Sequence, residues 1–257
     1  MEILFIFFIG CAIGSFLNVL VDRLPHDESV IKGRSYCDSC KKQLAWHDLI
    51  PVVSFILLRG KCRCCHSPIS WQYPLVELLT GILFVMVILH PNNQIFNFQF
   101  SIFNLVYYFF IVSSLIVIFF TDLKYGIIPD KIVYPAIIVT FFYLIINYQL
   151  STINYLISAL GAFLLFFLLH FITRGRGMGF GDVKLAGLLG LFLGFPKIVV
   201  SLYLAFLTGA VVSLILVMLG KKKLKGSTVP FGPFLVVGTL VSMFYGERLV
   251  NVFITFF

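Results

Sequence analysis

The sequence predicts an all-α polytopic membrane protein of about eight transmembrane helices, with one small insert outside the membrane between the first and second. Three observations carry this. Of the 257 residues, 60% are apolar and 12% charged, with 30 Phe and a mean hydropathy of +1.03, whereas a soluble domain carries about twice that share of charge. The apolar residues fall in runs long enough to cross a bilayer. The basic residues fall mostly in alternate loops. Soluble and disordered chains are excluded, because neither can carry so much apolar surface.

A spanning helix takes about 20 mostly apolar residues. Runs of that order lie at roughly 3 to 20, 75 to 90, 101 to 121, 132 to 147, 152 to 172, 183 to 195, 197 to 219 and 230 to 246 or beyond. The first has the length of a signal peptide but no basic start and no Ala-x-Ala-like end. Gly14, Ser15, Asn18 and Arg23 belong to it or follow it, and it reads as a retained helix. The second run is short. The sixth and seventh are divided at Gly194, Phe195 and Pro196, where proline removes a backbone donor and suits a tight turn. If that division is only a kink, the spans number seven. The organisation is therefore a first helix at 1–20, an insert at 21–74 and a transmembrane core at 75–257.

Basic loops resist translocation, so Lys and Arg mark the cytosolic side. Residues 21–74 hold eight: Arg23, Lys32, Arg34, Lys41, Lys42, Arg59, Lys61 and Arg63. Later alternate loops hold Lys124, Lys131, Arg174, Arg176, Lys184, Lys221, Lys222, Lys223 and Lys225, so 17 of 19 fall on one side. Segments 91–100 and 148–151 hold none, leaving Lys197 and Arg248 for the other face. Both termini are then outside and the insert is cytosolic. Seven spans would put the Lys221 to Lys225 run outside, so the count favours eight. Topology and anionic membrane lipid account for the net charge of +8 without a nucleic-acid partner.

Five of the six cysteines crowd into residues 37–65. Cys37-x-x-Cys40 and Cys62-x-x-Cys65 have the spacing by which two knuckles supply four thiolates to one tetrahedral Zn2+. An insert this small builds little core of its own, so metal binding would supply folding energy. Four thiolates leave no position for water, and the zinc reads as structural. Cys64 and His66 adjoin the second pair, and either could replace a neighbour as ligand. Cys11, alone in the first span, reads as a small apolar filler.

Ionisable groups in or against a span are costly and point to function. Asp122 ends the third span, Asp130 precedes the fourth, Asp182 opens the sixth and Glu77 lies inside the second. Two aspartates brought together at the boundary can share one proton, so that one activates a water and the other protonates a carbonyl oxygen. Asp182 follows Gly177, Gly179 and Gly181, which let backbone take up positive φ and approach a substrate strand closely. Local readings stand beside this: Asp130 and Asp182 as helix N-caps, Asp122 as the partner of Lys124 or Lys131. The sequence holds no His-Glu-x-x-His, Gly-x-Ser-x-Gly or Gly-x-x-x-x-Gly-Lys-Ser/Thr, so metalloprotease, serine-hydrolase and P-loop chemistry have no motif here. Of the scattered histidines, His47 and His66 lie near the cysteines.

A set of ordered blocks makes the chain resemble the bacterial type IV prepilin peptidases. These are Gly14 to Val19 with Arg23-Leu24-Pro25, the two Cys pairs, Trp46 to Pro51, Arg59 to Arg63, Tyr73 to Glu77, Asp122 to Asp130, and Gly179 to Lys184. The resemblance implies an intramembrane aspartyl peptidase of the Gly-x-Gly-Asp type, with catalytic Asp122 and Asp182 and an active-site loop at Gly179 and Gly181. It implies prepilins or pseudopilins of type IV pilus, competence or type II secretion systems as substrates. Their leaders would be cut after a glycine on the cytosolic side, and the new N-terminal residue, usually Phe, methylated from S-adenosylmethionine. The insert marks the bifunctional bacterial enzymes. Glu77 is expected at the methyl-transfer site, with Arg23, Asp48 and Trp46 as further residues. The chain departs from the family pattern at His66, where glycine is usual, and in the additional Cys64. A peptidase without methyl transfer, and a non-enzymatic transporter or assembly scaffold, are the alternatives.

Overall fold

The structure, a computed structural model, describes residues 1–30, 33–37, 39–89, 102–148, 152–175, 177–220 and 229–256. Lys32, the 91–100 segment, residues 149–151, Arg176 and the Lys221 to Lys225 run, used above in counting sides, lie outside the described residues. Among the described residues the architecture is helical: α1 Glu2–Arg23, α2 Val53–Leu57, α3 Gln72–Leu89, α4 Ile102–Tyr125, α5 Asp130–Tyr148, α6 Thr152–Ile172, α7 Phe180–Leu193, α8 Lys197–Met218 and α9 Gly232–Phe256. Two isolated antiparallel bridges, Tyr36 with Gln43 and Lys61 with Pro68, lie in the insert. The chain divides into two compact units, Met1–Val117 and Ile118–Phe257.

In the first unit α1 and α3 form an antiparallel pair. A Cβ at Gly10 would lie 2.6 Å from the Gly81 Cα, and one at Gly14 2.7 Å from the Glu77 Cα, so these backbones touch directly. Lipid gives helices no hydrophobic reason to associate, and close packing at small residues takes its place. Further along, Asn18 Nδ2 donates to the Tyr73 carbonyl at 3.1 Å, and the Tyr73 hydroxyl donates to Asp22 Oδ2 at 2.9 Å. The insert therefore leaves and re-enters at one end of this pair. Phe84 of α3 stacks on Phe109 of α4 at 3.9 Å between ring centroids.

Among the described residues seven helices are long and apolar enough to cross a membrane: α1, α3, α4, α5, α6, α8 and α9. The sixth expected span, 183 to 195, is α7, and it is too short to cross. At 14 residues it rises only about 21 Å against a hydrocarbon core of about 30 Å. Its buried faces, including Val183, Leu185, Leu188 and Leu189, explain the apolar run: they pack on protein. The α7 strand of chain nevertheless runs antiparallel along the whole of α6. His170 meets the Met178 carbonyl, Phe163 faces Gly187, Ser158 faces Gly190, and Asn154 brackets Phe195. The chain thus returns to the end where α6 began. The division before α8 is a turn: the Phe195 N–H donates to Asn154 Oδ1 at 3.0 Å, and Asn154 Nδ2 donates to the Phe195 carbonyl at 3.2 Å.

α8 and α9 pair in the same way. A Cβ at Gly238 would lie 2.4 Å from the Ser201 carbonyl oxygen, Ser201 and Thr239 hydroxyls meet at 3.1 Å, and Lys197 pairs with Glu247 at 2.9 Å.

A Cβ at Gly190 would lie 2.5 Å from the Ser158 carbonyl oxygen. Gly190→Val is therefore expected to reduce stability by about 3 kcal/mol through overpacking, read as earlier loss of helicity on titration with denaturing detergent. At Gly161 a Cβ meets nothing within 4 Å, and Gly161→Ala is expected to be neutral or stabilising by up to about 1 kcal/mol in the same titration.

Candidate active site and metal centre

The two cysteine pairs occupy matching turns. The Cys37 N–H donates to the Lys42 carbonyl at 3.0 Å and the Cys62 N–H to the Ser67 carbonyl at 2.9 Å. Within each turn the Lys41 and His66 N–H groups donate back to Cys37 and Cys62 carbonyls. Both Lys41 and His66 take left-handed φ, 55° and 56°. That is the conformation a glycine adopts most readily. The Sγ atoms of Cys37, Cys40, Cys62 and Cys65 lie within 4.8 Å of one another, with Cys37 and Cys65 at 3.7 Å. Sulfurs bound tetrahedrally at about 2.3 Å from Zn2+ sit about 3.8 Å apart, so the donor set fits that ion. Cys64 lies outside the cluster, exposed, with its sulfur 3.8 Å from Lys42 Nζ.

Two of the four sulfurs are shifted toward the ionised form and one away from it. The Cys40 N–H and then the Ser67 hydroxyl bring the Cys37 thiol down to about 6. The Ser67 hydroxyl and N–H lower Cys65 as well. At Cys40 the Lys42 N–H favours the thiolate but is outweighed by desolvation and the neighbouring sulfurs, and the thiol is pushed up to about 12.

In the second unit Asp122 and Asp182 are 5% and 8% exposed. They are near enough for the charge on one to act on the other. Asp122 Oδ2 accepts the Gly232 N–H at 2.9 Å, at the first residue of α9. Asp182 Oδ2 accepts the Gly179 N–H at 3.2 Å. Helix starts leave such N–H groups without partners inside the helix, and each carboxylate takes one. Asp182 is thus the third residue of α7, reaching back to its cap Gly179, rather than the cap itself.

The glycines before Asp182 act by close approach rather than by positive φ. Gly179 is extended at φ −71°, while the left-handed residues of this loop are Arg174 and Gly175. A Cβ at Gly181 would lie 3.1 Å from Ile128 Cβ, and one at Gly177 2.9 Å from Thr173 Cγ2. Asp130 forms an ion pair with Lys184, whose ammonium also lies over the rings of Phe180 and Tyr134 at 5.3 and 5.4 Å. It is the first residue of α5, not its cap.

Glu77, 7% exposed, sits inside the α1–α3 pair. Its Oε2 accepts the Val52 N–H at 2.7 Å, and the Ser15 hydroxyl also bonds to it. Val52 has φ 61° and ψ −48°, a strained conformation for a β-branched residue. The buried carboxylate holds it. Asp48 accepts from Arg63 Nε at 2.8 Å, joining the segment between the knuckles to the second one. Arg23 donates to the Ser29 and Arg34 carbonyls at 3.0 and 3.4 Å and lines a cavity of about 440 Å³ with Glu28, Tyr36 and Lys41. Trp46 is 77% exposed.

Sequence reasoning missed Gly232 and His170. A Cβ on Gly232 would lie 2.6 Å from Asp122 Oδ2, so only glycine admits this carboxylate. The available signal was a glycine between Phe231 and Pro233 opening a span. His170 Nδ1 lies 2.8 Å from the Met178 carbonyl and packs on Phe180, fixing the loop before Asp182.

Comparison with known proteins identifies the family. The family description "Bacterial Peptidase A24 N-terminal domain" matches residues 8–91, and "Type IV leader peptidase family" matches residues 109–214. The chain is 31% identical over 254 residues to the prepilin leader peptidase/N-methyltransferase of Bacillus subtilis (strain 168), covering 99% of this chain and 98% of that protein. The chain belongs to the type IV leader peptidase family. Within this peptidase A24 family, the protein of the same name from Legionella pneumophila is 31% identical over 271 residues, covering 95% of this chain and 91% of that one. The one from Myxococcus xanthus (strain DK1622) is 34% identical over 221 residues, and the match spans 63% of its length. No solved structure matches the chain. In this family member the acids Asp122 and Asp182 fall in the second match, and the four-cysteine cluster and Glu77 in the first.

Purified protein is expected to hold one zinc per chain by elemental analysis, and Cys37→Ser or Cys62→Ser to lose most of it. Metal binds thiolate, and a proton competes only when the sulfur is protonated. Zinc occupancy should therefore fall as pH is lowered, because protons then compete with the metal for the four sulfurs.

Proposed function

We propose that this chain cleaves the leaders of type IV prepilins and pseudopilins after a glycine at the cytosolic membrane face, then N-methylates the new N-terminal residue. The pair Asp122 and Asp182 carries this reading: two buried, interacting carboxylates, each anchored by a glycine N–H at a helix start. With one proton between them, the ionised carboxylate takes a proton from a water as its oxygen attacks the scissile carbonyl carbon. The protonated partner donates to the carbonyl oxygen. Collapse of the tetrahedral intermediate breaks the C–N bond as a proton passes from the dyad to the leaving amine. No covalent enzyme intermediate forms.

The orientation that goes with this reading follows the basic residues: both termini outside, with the insert and the two aspartates at the cytosolic face. A prepilin is a membrane helix with a basic leader, so its scissile bond would lie at the same boundary.

For the second reaction, S-adenosylmethionine supplies the electrophilic methyl group when bound. The cavity beside Arg23 has the size of a small-cofactor site. It offers the guanidinium of Arg23 for a carboxylate, Glu28 for an ammonium and the Tyr36 ring for an aromatic base. Glu77 serves this reaction by fixing the insert to the α1–α3 pair through Val52. Asp48, through Arg63, and Trp46 belong to the insert's scaffold. The zinc is structural, since four thiolates leave it no open position.

The test is to incubate purified protein with a prepilin and S-adenosylmethionine and to weigh the products. Asp122→Asn and Asp182→Asn are each expected to lower cleavage by about 100-fold or more while zinc content is retained. Normal cleavage in either variant rejects the dyad. Glu77→Gln is expected to retain cleavage and lose methylation of the product. Cleavage without methylation by the unaltered protein would leave a peptidase alone, and no cleavage of several prepilins would favour a scaffold.

A further inference from the structure

The insert carries an apolar surface that neither reaction uses. Val53, Ile56 and Leu57 of α2 are 45%, 67% and 76% exposed and lie at helical positions i, i+3 and i+4, on one face. Elsewhere in the insert Trp46 and Trp71 are 77% and 76% exposed, and the Trp71 ring packs on Phe55 of α2 at 4.8 Å. A water-facing module rarely displays so many large apolar side chains together.

Its depth is set by Glu77. That residue lies five positions beyond Gln72, the first residue of α3, or about 7.5 Å into the helix. It is level with Gly14, deep inside α1. Since the Val52 N–H is bonded to the Glu77 carboxylate, the start of α2 lies beside the second turn of a membrane span and not beyond its end. Arg59 and Lys61 follow α2 directly and are exposed, placing cations where lipid phosphates lie.

We infer that α2, with Trp46 and Trp71, is an interfacial anchor that inserts into the headgroup and upper acyl region of the bilayer and holds the cysteine module against it. Its occupant is lipid with anionic headgroups. Tryptophan prefers this zone, and an apolar helix face bordered by cations lies in its plane.

The chain has two tryptophans, Trp46 and Trp71, both in the insert and both exposed, so intrinsic fluorescence reports on the insert alone. Full-length protein would be reconstituted in vesicles containing phosphatidylglycerol, with acyl chains brominated near the headgroup or near the chain end. Shallow bromines are expected to quench most of the emission, deep bromines less, and aqueous iodide little. Trp46→Phe and Trp71→Phe resolve the two contributions. Replacing both Ile56 and Leu57 by Asp should shift emission to the red and weaken bromolipid quenching, while metal content stays unchanged. Quenching by iodide but not by bromolipid would overturn the anchor in favour of a water-facing patch. Protection from both quenchers would overturn it in favour of a covering protein, either a second copy or a prepilin helix. Should the double variant fail to fold, the unaltered protein and the single Trp variants decide between these outcomes.

Discussion

Direct contact between helix backbones at glycine is the constraint on which the rest of this protein depends. Each of the three antiparallel pairs contains a glycine whose Cβ would overlap the neighbouring backbone: Gly10 at 2.6 Å, Gly190 at 2.5 Å and Gly238 at 2.4 Å. Without water to drive apolar surfaces together, such contacts set which helices pair and in what register. Gly190 lies eight residues after Asp182, and Gly238 six residues after Gly232, distances of about 12 and 9 Å along their helices. The acid on α7 and the donor at the start of α9 are therefore placed by contacts made two turns away.

The same frame separates acids by the company they keep. Asp130 is paired with Lys184, itself covered by two aromatic rings. Asp122 and Asp182 are more deeply buried, yet among the described residues each is held by a backbone N–H and not by a cation. A carboxylate in apolar surroundings without a cation retains its capacity to take and give a proton, at a cost in stability. The catalytic role proposed for the pair would account for that cost.

Much of this was legible in the sequence because it depends on composition and local spacing. The long spans, the paired cysteines and the acids at span ends are of that kind. What the sequence could not disclose depends on partners far apart in the chain. Gly232 meets Asp122 across 110 residues, and the Val52–Glu77 bond spans 25. The apolar run of α7 has the composition of a span, but its side chains are covered by protein, and burial against protein and against lipid select the same residues. The glycines before Asp182 signalled an unusual backbone, yet they serve close packing on Thr173 and Ile128, which no local pattern distinguishes from a turn.

The insert shows what happens where glycine packing is not available. Among its described residues between Leu24 and Trp71, Cys62 alone is buried, so it has no apolar core to fix its shape. Its order must come from crosslinks. The four sulfurs join the two knuckles, Arg63 with Asp48 ties the intervening segment to the second, and Glu77 fastens the whole to the α1–α3 pair. Each link holds a different piece, so loss of the metal would free the knuckles while Val52 stayed bound to Glu77. A module built this way is positioned by its attachments rather than by its interior. Its shape is then only as definite as the helix pair and the membrane surface to which it is fastened.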